Sequence, residues 1–283
     1  MFVIIGCIVV IVCVLGGYKM HGGNLSVLVQ PSEYIIIVGA AIGGLIIASP
    51  PKILSMVIKG MIGMLSAKSY TKQDYLESLI LLSDIFTKIR KEGLVSIEAD
   101  VDNPEASPIF SKYPNFLKNH HAVALVTDTL RTVMTTSISP HELEALLDNE
   151  LEAHHEEAMI PSNSVNNMAD SLPGLGIVAA VMGVVITMGY IDQPPNVLGN
   201  LIGAALVGTF TGVLLCYGFF GPMARNLAVI ANENKEYMNV FKVGLVAFVG
   251  GAAPQIAVEF ARRVVPSVVK PTFLEVEEAI RKK

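Results

Sequence analysis

Four long apolar runs constrain this chain more than any other feature of its sequence. They cover about residues 1–18, 34–49, 172–190 and 197–220, and a helix needs roughly 20 apolar residues to cross a bilayer. A mean hydropathy of +0.55 and a charged fraction of 16% agree with membrane helices. The runs predict an all-α integral membrane protein with four transmembrane helices. A fifth stretch, 244–260, holds three glycines, a proline and a glutamate, and we interpret it as an amphipathic or docked helix.

The distribution of Lys and Arg predicts the orientation of these helices. Of 20 such residues, ten lie between the second and third runs and nine follow the fourth. Basic residues near membrane helices stay in the cytoplasm, so we expect the long loop and the C-terminus to be cytoplasmic. The predicted organisation is transmembrane helices 1 and 2 in 1–50, a large cytoplasmic helical domain in 51–170, transmembrane helices 3 and 4 in 171–222, and a cytoplasmic helical C-terminal tail in 223–283.

Two helices are predicted inside the large loop. The first has one apolar face, made by Tyr75, Leu76, Leu79, Leu82, Phe86 and Ile89. Arg90 lies just beside that face and points outward. The second begins at Ser139 and Pro140, where a capping-box serine precedes a proline suited to the first helical position. Its predicted buried stripe is Leu143, Leu146, Leu147 and Leu151.

The four runs, bounded as above, contain no Asp, Glu, Lys, Arg or His. A protein that moves ions across a bilayer normally has an ionisable group at depth. This chain therefore either moves no ion or uses a carboxylate from a partner helix. A membrane-embedded enzyme would have no nucleophile, acid or metal ligand there, so we do not expect an enzyme.

No cofactor, metal site or nucleic-acid partner is predicted either. The segment 154–157 lacks the histidine spacing of HExxH, and the three cysteines lie in apolar runs without ligand spacing. The net charge of −5 is opposite to the basic surface that nucleic acids need.

Small residues recur at a spacing of four in the third and fourth runs. The pairs are Gly176 and Ala180, Ala179 and Gly183, Gly199 and Gly203, Ala204 and Gly208, and Gly208 and Gly212. Small residues let helix backbones approach closely in lipid. We expect tight packing against helices of other subunits, with packing inside the chain as the alternative.

Several motifs, in order along the chain, resemble the MotA family of flagellar motor stator subunits. PGLGIVAAVMGVV at 173–185 and the segment 207–222 resemble the third and fourth membrane helices of that family. The segment 90–105, with RKEG at its start and NPE at its end, resembles the rotor-facing segment, and AVEFAR at 257–262 resembles the tail. The resemblance runs nearly end to end.

The resemblance implies a multi-pass protein of the bacterial inner membrane that forms an ion channel with a MotB-like single-span partner. That partner supplies the membrane aspartate, and a homo-oligomeric ring, a pentamer, surrounds a dimer of it. Ion flux then drives rotation through the rotor protein FliG. The implied rotor-interface residues are Arg90, Glu98 and Glu150. The implied ion-pathway residues are Ala180, Thr209 and Tyr217, and the coupling or hinge residues are Asp170, Pro173 and Pro222.

Ala180 indicates which ion is transported, and the number of apolar runs separates the stator family from its nearest rival. Sodium-type relatives tend to carry a hydroxyl residue where this chain has Ala180, which offers no ligand, so we expect protons. The rival is a proton-driven energiser of outer-membrane transport, like ExbB or TolQ. Proteins of that kind have three membrane spans. Four apolar runs and the segment from Arg90 to Glu98 favour the stator.

Overall fold

A computed structural model describes residues 2–282, and within that range the regular structure is helical, as the sequence predicts. The α-helices are α1 (Phe2–Met20), α2 (Pro31–Ala48), α3 (Pro51–Ser66), α4 (Lys72–Glu92), α5 (Glu98–Asp102), α6 (Pro114–Leu117), α7 (His120–Thr135), α8 (Pro140–Met188), α9 (Pro195–Leu214), α10 (Gly221–Val249), α11 (Pro254–Arg263) and α12 (Phe273–Arg281). A π-helical segment, Leu215–Phe220, joins α9 to α10.

Four helical segments are long and apolar enough to cross a membrane, which confirms the predicted number. They are Phe2–Met20, Leu25–Ala48, Pro140–Met188 and Pro195–Val249. The second begins before the run bounded at 34, and it contains Glu33. The predicted run therefore excluded an acidic residue that the helical segment includes.

The chain forms two compact units. The first, here called the membrane unit, comprises Met1–Ala67 and Ala158–Ile230, and the second, called the helical domain, comprises Lys68–Glu157 and Ala231–Lys283. Helices α8 and α10 contribute residues to both units. The membrane unit has two small buried clusters, one around Ile37 and Leu172 and another around Val57 and Val165. The helical domain has one extensive core of aliphatic and aromatic side chains.

Helix α4 supplies the centre of the domain core. It begins with a capping box, in which Thr71 accepts from the Asp74 amide and Asp74 accepts from the Thr71 amide. Its predicted apolar face is buried except for Leu76, which is half-buried. The helix ends at Glu92 and is capped by Gly93, whose φ of +85° glycine adopts at little cost.

Helix α8 begins at the predicted residue but ends much later. The Ser139 amide donates to Glu142 at 2.9 Å, and the Glu142 amide donates to the Ser139 hydroxyl at 3.3 Å. Of the predicted stripe, Leu143, Leu147 and Leu151 are buried, whereas Leu146 is exposed, so its assignment to the core was wrong. The helix then continues through Pro161 and Pro173 to Met188.

The segment 244–260 is not one helix, contrary to the prediction. Helix α10 ends at Val249, and α11 begins at Pro254. Gly251 in the intervening turn has a φ of +91°, which residues other than glycine rarely adopt. Ala257 and Val258 lie in the core of the helical domain, so this part of the segment is docked on the domain.

Candidate functional site

Helices α8 and α9 cross at glycines inside the membrane unit. A Cβ added at Gly176 would lie 2.8 Å from the Gly208 carbonyl oxygen, and one added at Gly212 would overlap the Leu172 carbonyl oxygen. A Cβ at Gly183 would lie 2.6 Å from the Ala205 Cβ. Contacts this short leave no room for a side chain, so the two backbones touch. These residues pack within the chain, which was the alternative to packing between subunits.

Two of the three implied ion-pathway residues lie at this crossing. A Cβ at Gly208 would lie 3.1 Å from the Ala180 amide nitrogen, and one at Gly176 would lie 3.3 Å from the Thr209 Cα. Tyr217 stands apart, on the π-helical segment, with its side chain exposed. Single π-helical turns inside α-helices are rare and often mark functional sites.

One ionisable residue at the crossing was missed by the sequence analysis. Glu33 in the first turn of α2 is only 7% exposed. A Cβ at Gly208 would lie 2.5 Å from Glu33 Oε2. The signal was present in the sequence, because Pro31 is suited to the first position of a helix and places Glu33 inside it.

The implied coupling residues lie on the two long helices. Asp170 accepts from the Asn166 side chain at 2.9 Å and is exposed. Pro173 stands inside α8, and Pro222 is the second residue of α10, directly after the π-helical segment. Each proline leaves a backbone carbonyl one turn earlier without its usual amide donor, and such positions can bend. Pro161 is a third internal proline, and it packs against Gly60 of α3.

Two implied rotor-interface residues, Arg90 and Glu98, are exposed on the helical domain. Arg90 lies in the last turn of α4, and Glu98 is the first residue of α5. Beside them, Asp100 is almost completely buried and accepts from Lys88 Nζ at 2.7 Å and from Ser107 Oγ at 2.6 Å. The Ser107 oxygen in turn accepts from backbone amides at 109 and 110. Asp100 therefore fixes the segment that presents Glu98, a role the sequence analysis did not identify.

Glu150, the third implied rotor residue, differs from the other two because it is half-buried. It lies on α8 within electrostatic range of His154 and of Asp128 on α7. Asp128 is also bound to Arg131 at 2.9 Å, and Arg131 reaches Asp102 of α5 at 3.1 Å. A chain of charges thus links the surroundings of Glu150 to α5, where Glu98 lies.

The tail motif AVEFAR forms a clamp between α11 and the chain that follows it. Glu259 accepts from Arg262 Nε at 2.7 Å and from Arg263 Nε at 2.9 Å, while Arg262 also donates to the Pro271 carbonyl at 3.0 Å. The hydrogen bonds from Arg262 lower the pKa of Glu259 to about 2, with Arg263 adding to the effect and burial opposing it. Within residues 2–282, three or more His, Cys, Asp or Glu side chains are nowhere gathered closely enough to hold a metal.

Comparison with protein families identifies the class of protein. The MotA/TolQ/ExbB proton channel family matches residues 117–239, which include the α8–α9 crossing. Together with four apolar helical segments, this defines a multi-pass membrane protein of a proton channel family. The family described as Motility protein A N-terminal matches residues 4–93. Motility protein A of Escherichia coli K12 is 42% identical over 99% of this chain and 95% of its own length. The chain belongs to the MotA family.

Other relatives and solved structures agree with this membership. Chemotaxis protein LafT of Vibrio parahaemolyticus is 36% identical over 97% of this chain and 96% of its own. The structure of C. jejuni MotAB matches with a TM-score of 0.77 at 17% identity, over 94% of this chain and 95% of that one. The flagellar MotAB stator complex of Bacillus subtilis matches with a TM-score of 0.72 at 23% identity, over 90% and 92%. At these identities the structures establish the shared fold.

Proposed function

We propose that this chain is the MotA-type stator subunit of a bacterial flagellar motor and forms an ion channel with a MotB-like single-span partner. The observation that carries the proposal is the 42% identity to a motility protein over 99% of the chain. The aligned region therefore includes both the α8–α9 crossing and the exposed segment of Arg90 and Glu98. We assign the chain no catalytic activity and no cofactor of its own.

The proposed assembly is a ring of five copies around a dimer of the partner in the bacterial inner membrane. The long loop and the C-terminus are cytoplasmic in this proposal, supported by the 19 basic residues on that side. Gly199 and Gly203 on α9 have no neighbouring atom within 4 Å of an added Cβ. These two small residues therefore offer a surface on which a helix of the partner or of another subunit can pack closely.

The energy of one ion is large enough to remake the proposed contact with the rotor protein FliG. One charge crossing a potential of 100 mV releases about 2.3 kcal/mol, whereas an exposed ion pair contributes about 0–1 kcal/mol. Arg90 and Glu98 are exposed and suit such pairs. Glu150 is half-buried, so its proposed role is to modulate engagement through the charges that connect it with α5.

Within the membrane unit, we assign the ion pathway to Ala180, Thr209 and Tyr217, and the coupling to Asp170, Pro173 and Pro222. The proposed ion is the proton. Ala180 has no side-chain oxygen, and hard cations are held by several oxygen ligands. The prolines and the π-helical segment interrupt the regular hydrogen bonding of α8 to α10, which supports bending there as ions pass.

Charge reversal on the helical domain tests the role of the exposed segment. Arg90→Glu and Glu98→Lys, each produced with the partner in a strain lacking its stators, should reduce swimming to a small fraction of the wild-type speed. Both side chains are exposed, so the protein should reach the membrane at the wild-type level. Arg281→Glu on α12, which is also exposed, is the matched control and should swim normally.

Wild-type torque in both reversals would contradict this role. The energiser of outer-membrane transport is distinguished in the same strains. An ExbB-like or TolQ-like chain would leave the stator-less strain immotile and would restore outer-membrane uptake in a strain lacking its energiser.

A further inference from the structure

Glu33 is an acidic side chain enclosed by the membrane unit. Its side chain is 7% exposed, and the Oε2 atom is out of contact with solvent. Among residues 2–282, no group donates a hydrogen bond to that oxygen. Acidic residues in the first turn of a helix are common because they complement the helix dipole, yet they normally lie in water. The burial of Glu33 therefore needs another explanation.

The slot that receives Glu33 exists because two residues of the crossing are glycines. A Cβ at Gly208 would lie 2.5 Å from Oε2, and a Cβ at Gly183 would lie 3.8 Å from Oε1. Ala205, one turn from Gly208 on α9, closes the slot beside Gly183. A Cβ at Gly208 would also lie 3.1 Å from the Ala180 amide nitrogen, so this glycine serves both the crossing and the slot. At Gly208 even a methyl group would displace the carboxyl group.

The charges near this slot leave the carboxyl group without a counter-ion. Helix α9 has no ionisable residue, and α8 has none from residue 171 to its end. Lys19 and His21, at the end of α1, are both exposed, and His21 bonds to the Gly17 carbonyl oxygen. Helix α3, which follows α2 at its far end, carries Lys52 and Lys59. A buried carboxylate without a hydrogen bond or opposite charge is strongly unfavourable, whereas the neutral acid avoids most of that cost.

We propose that Glu33 is a proton-binding site belonging to this chain itself, which holds its proton in the slot between α8 and α9 and exchanges it with water when the slot opens. On release, the O–H bond of the carboxyl group breaks and the proton passes to a water molecule. On closure, the carboxylate takes a proton back from water. A metal cation is a poor fit, since Gly183, Ala205 and Gly208 contribute no side-chain oxygen. The physiological use of the site rests on the proposed function as an ion channel. The presence of a proton on Glu33 does not depend on that function.

Infrared difference spectroscopy tests the site directly. The purified complex of the full chain with its single-span partner is reconstituted in vesicles, and spectra are recorded between acidic and alkaline buffers. Glu33→Gln should remove one carbonyl band of a protonated carboxyl group, while leaving the band of the partner's aspartate. Asp192→Asn, which changes an exposed acid in the turn between α8 and α9, is the matched control and should retain that band.

A second variant perturbs the carboxyl group from the other side of the slot, and far-ultraviolet circular dichroism of each variant shows whether its helices are retained. In Gly208→Ala the new Cβ would meet Glu33 Oε2, so the carboxyl group should leave the slot. Its band should then shift and respond to pH like that of an exposed acid. An unchanged spectrum in both Glu33→Gln and Gly208→Ala would overturn the proposal, because it would mean that Glu33 carries no proton in the complex.

Motility is measured separately, so that the two proposals can fail separately. If the band disappears in Glu33→Gln but the wild-type chain restores no swimming, the proton site stands and the stator function falls. If swimming is restored while the band is insensitive to Glu33→Gln, the proton site falls and the stator function stands.

Discussion

In the membrane unit, α8 and α9 touch through Gly176, Gly208 and Gly212, whereas the helical domain is filled by large side chains. Phe86 stacks on Phe248 with ring centroids 4.3 Å apart, and Phe241 lies 5.2 Å from Phe116. Lipid tails are as apolar as leucine, so helices in a membrane gain little by burying large side chains and gain more by close approach. In water, burial of large apolar side chains is the main favourable term. The same chain therefore uses two different solutions for packing helices.

This contrast has a consequence for mutation. Removing atoms should damage the helical domain, and adding atoms should damage the membrane unit.

The largest effect is expected from Phe241→Ala in the helical domain. Phe241 is completely buried, and truncation of a buried phenylalanine costs about 3–5 kcal/mol. The chain has no tryptophan, so near-ultraviolet circular dichroism of its tyrosines can follow thermal unfolding. Val95→Ala, at a side chain that is 75% exposed, is the control and should change the stability by less than about 0.5 kcal/mol. Equal stability of Phe241→Ala and Val95→Ala would contradict the claim that large buried side chains stabilise the helical domain.

The converse change is Gly176→Ala in the membrane unit. Its Cβ would meet the Gly208 carbonyl oxygen, and overpacking of this kind costs about 1–3 kcal/mol. Cys216 is buried in this unit, so its labelling by a maleimide reports local opening once Cys7 and Cys13 are replaced by serine. We expect labelling to be about 10- to 100-fold faster, since 1.4 kcal/mol is a factor of ten.

The control for this experiment is Gly63→Ala on α3, where an added Cβ meets no atom within 4 Å. Its labelling rate should equal that of the parent chain. An unchanged rate in Gly176→Ala would mean that the crossing tolerates a side chain. It would contradict the claim that the membrane unit depends on close backbone contact.

A smaller effect concerns pH and the clamp in the tail. Because Arg262 holds the pKa of Glu259 at about 2, below its ordinary value of 4.5, the clamp stabilises the folded domain fully above pH 4.5. This stability is lost as the pH falls towards 2, and after allowance for solvent screening it amounts to about 1–2 kcal/mol. Glu259→Gln should lower the thermal stability at neutral pH and make it less sensitive to acid. If the thermal stability of the variant and of the wild type changed with pH in parallel, the proposed contribution of the clamp would be contradicted.

The smallest effect is expected at the start of α8. Ser139→Ala removes the hydroxyl that accepts from the Glu142 amide, and loss of such a cap costs about 1 kcal/mol. Ser139→Asp keeps an acceptor at this position and is the matched control. Chemical unfolding of the two variants should differ, and equal midpoints would indicate that this cap contributes nothing measurable.

Much of the fold could be predicted because its signals are local. The apolar runs, the face of α4 and the cap at Ser139 each depend on residues within a few turns of one another. The extent of α8 could not be predicted in this way. Prolines usually end helices, yet α8 continues through Pro161 and Pro173, because neighbouring groups in a membrane protein can satisfy the carbonyls that they free.

The site was less predictable than the fold because it depends on contacts distant in sequence. Ala180 and Thr209 were identified through resemblance, and the structure adds that both lie at the α8–α9 crossing. Glu33 was missed because the apolar run was bounded by hydropathy, which placed its start at residue 34, directly after Glu33. Asp100 was missed because its burial depends on Lys88 and Ser107, and no periodic pattern connects these three residues.

Rotation of single motors measures the central claim most directly. A stator-less strain producing this chain and its partner would be tethered by one flagellum, and its speed recorded while the proton-motive force is lowered stepwise at constant sodium. We predict a speed that falls in proportion to the proton-motive force, reaches zero with an uncoupler, and does not change when sodium is removed. Rotation that survives the uncoupler and stops without sodium, or no rotation at all, would contradict the claim.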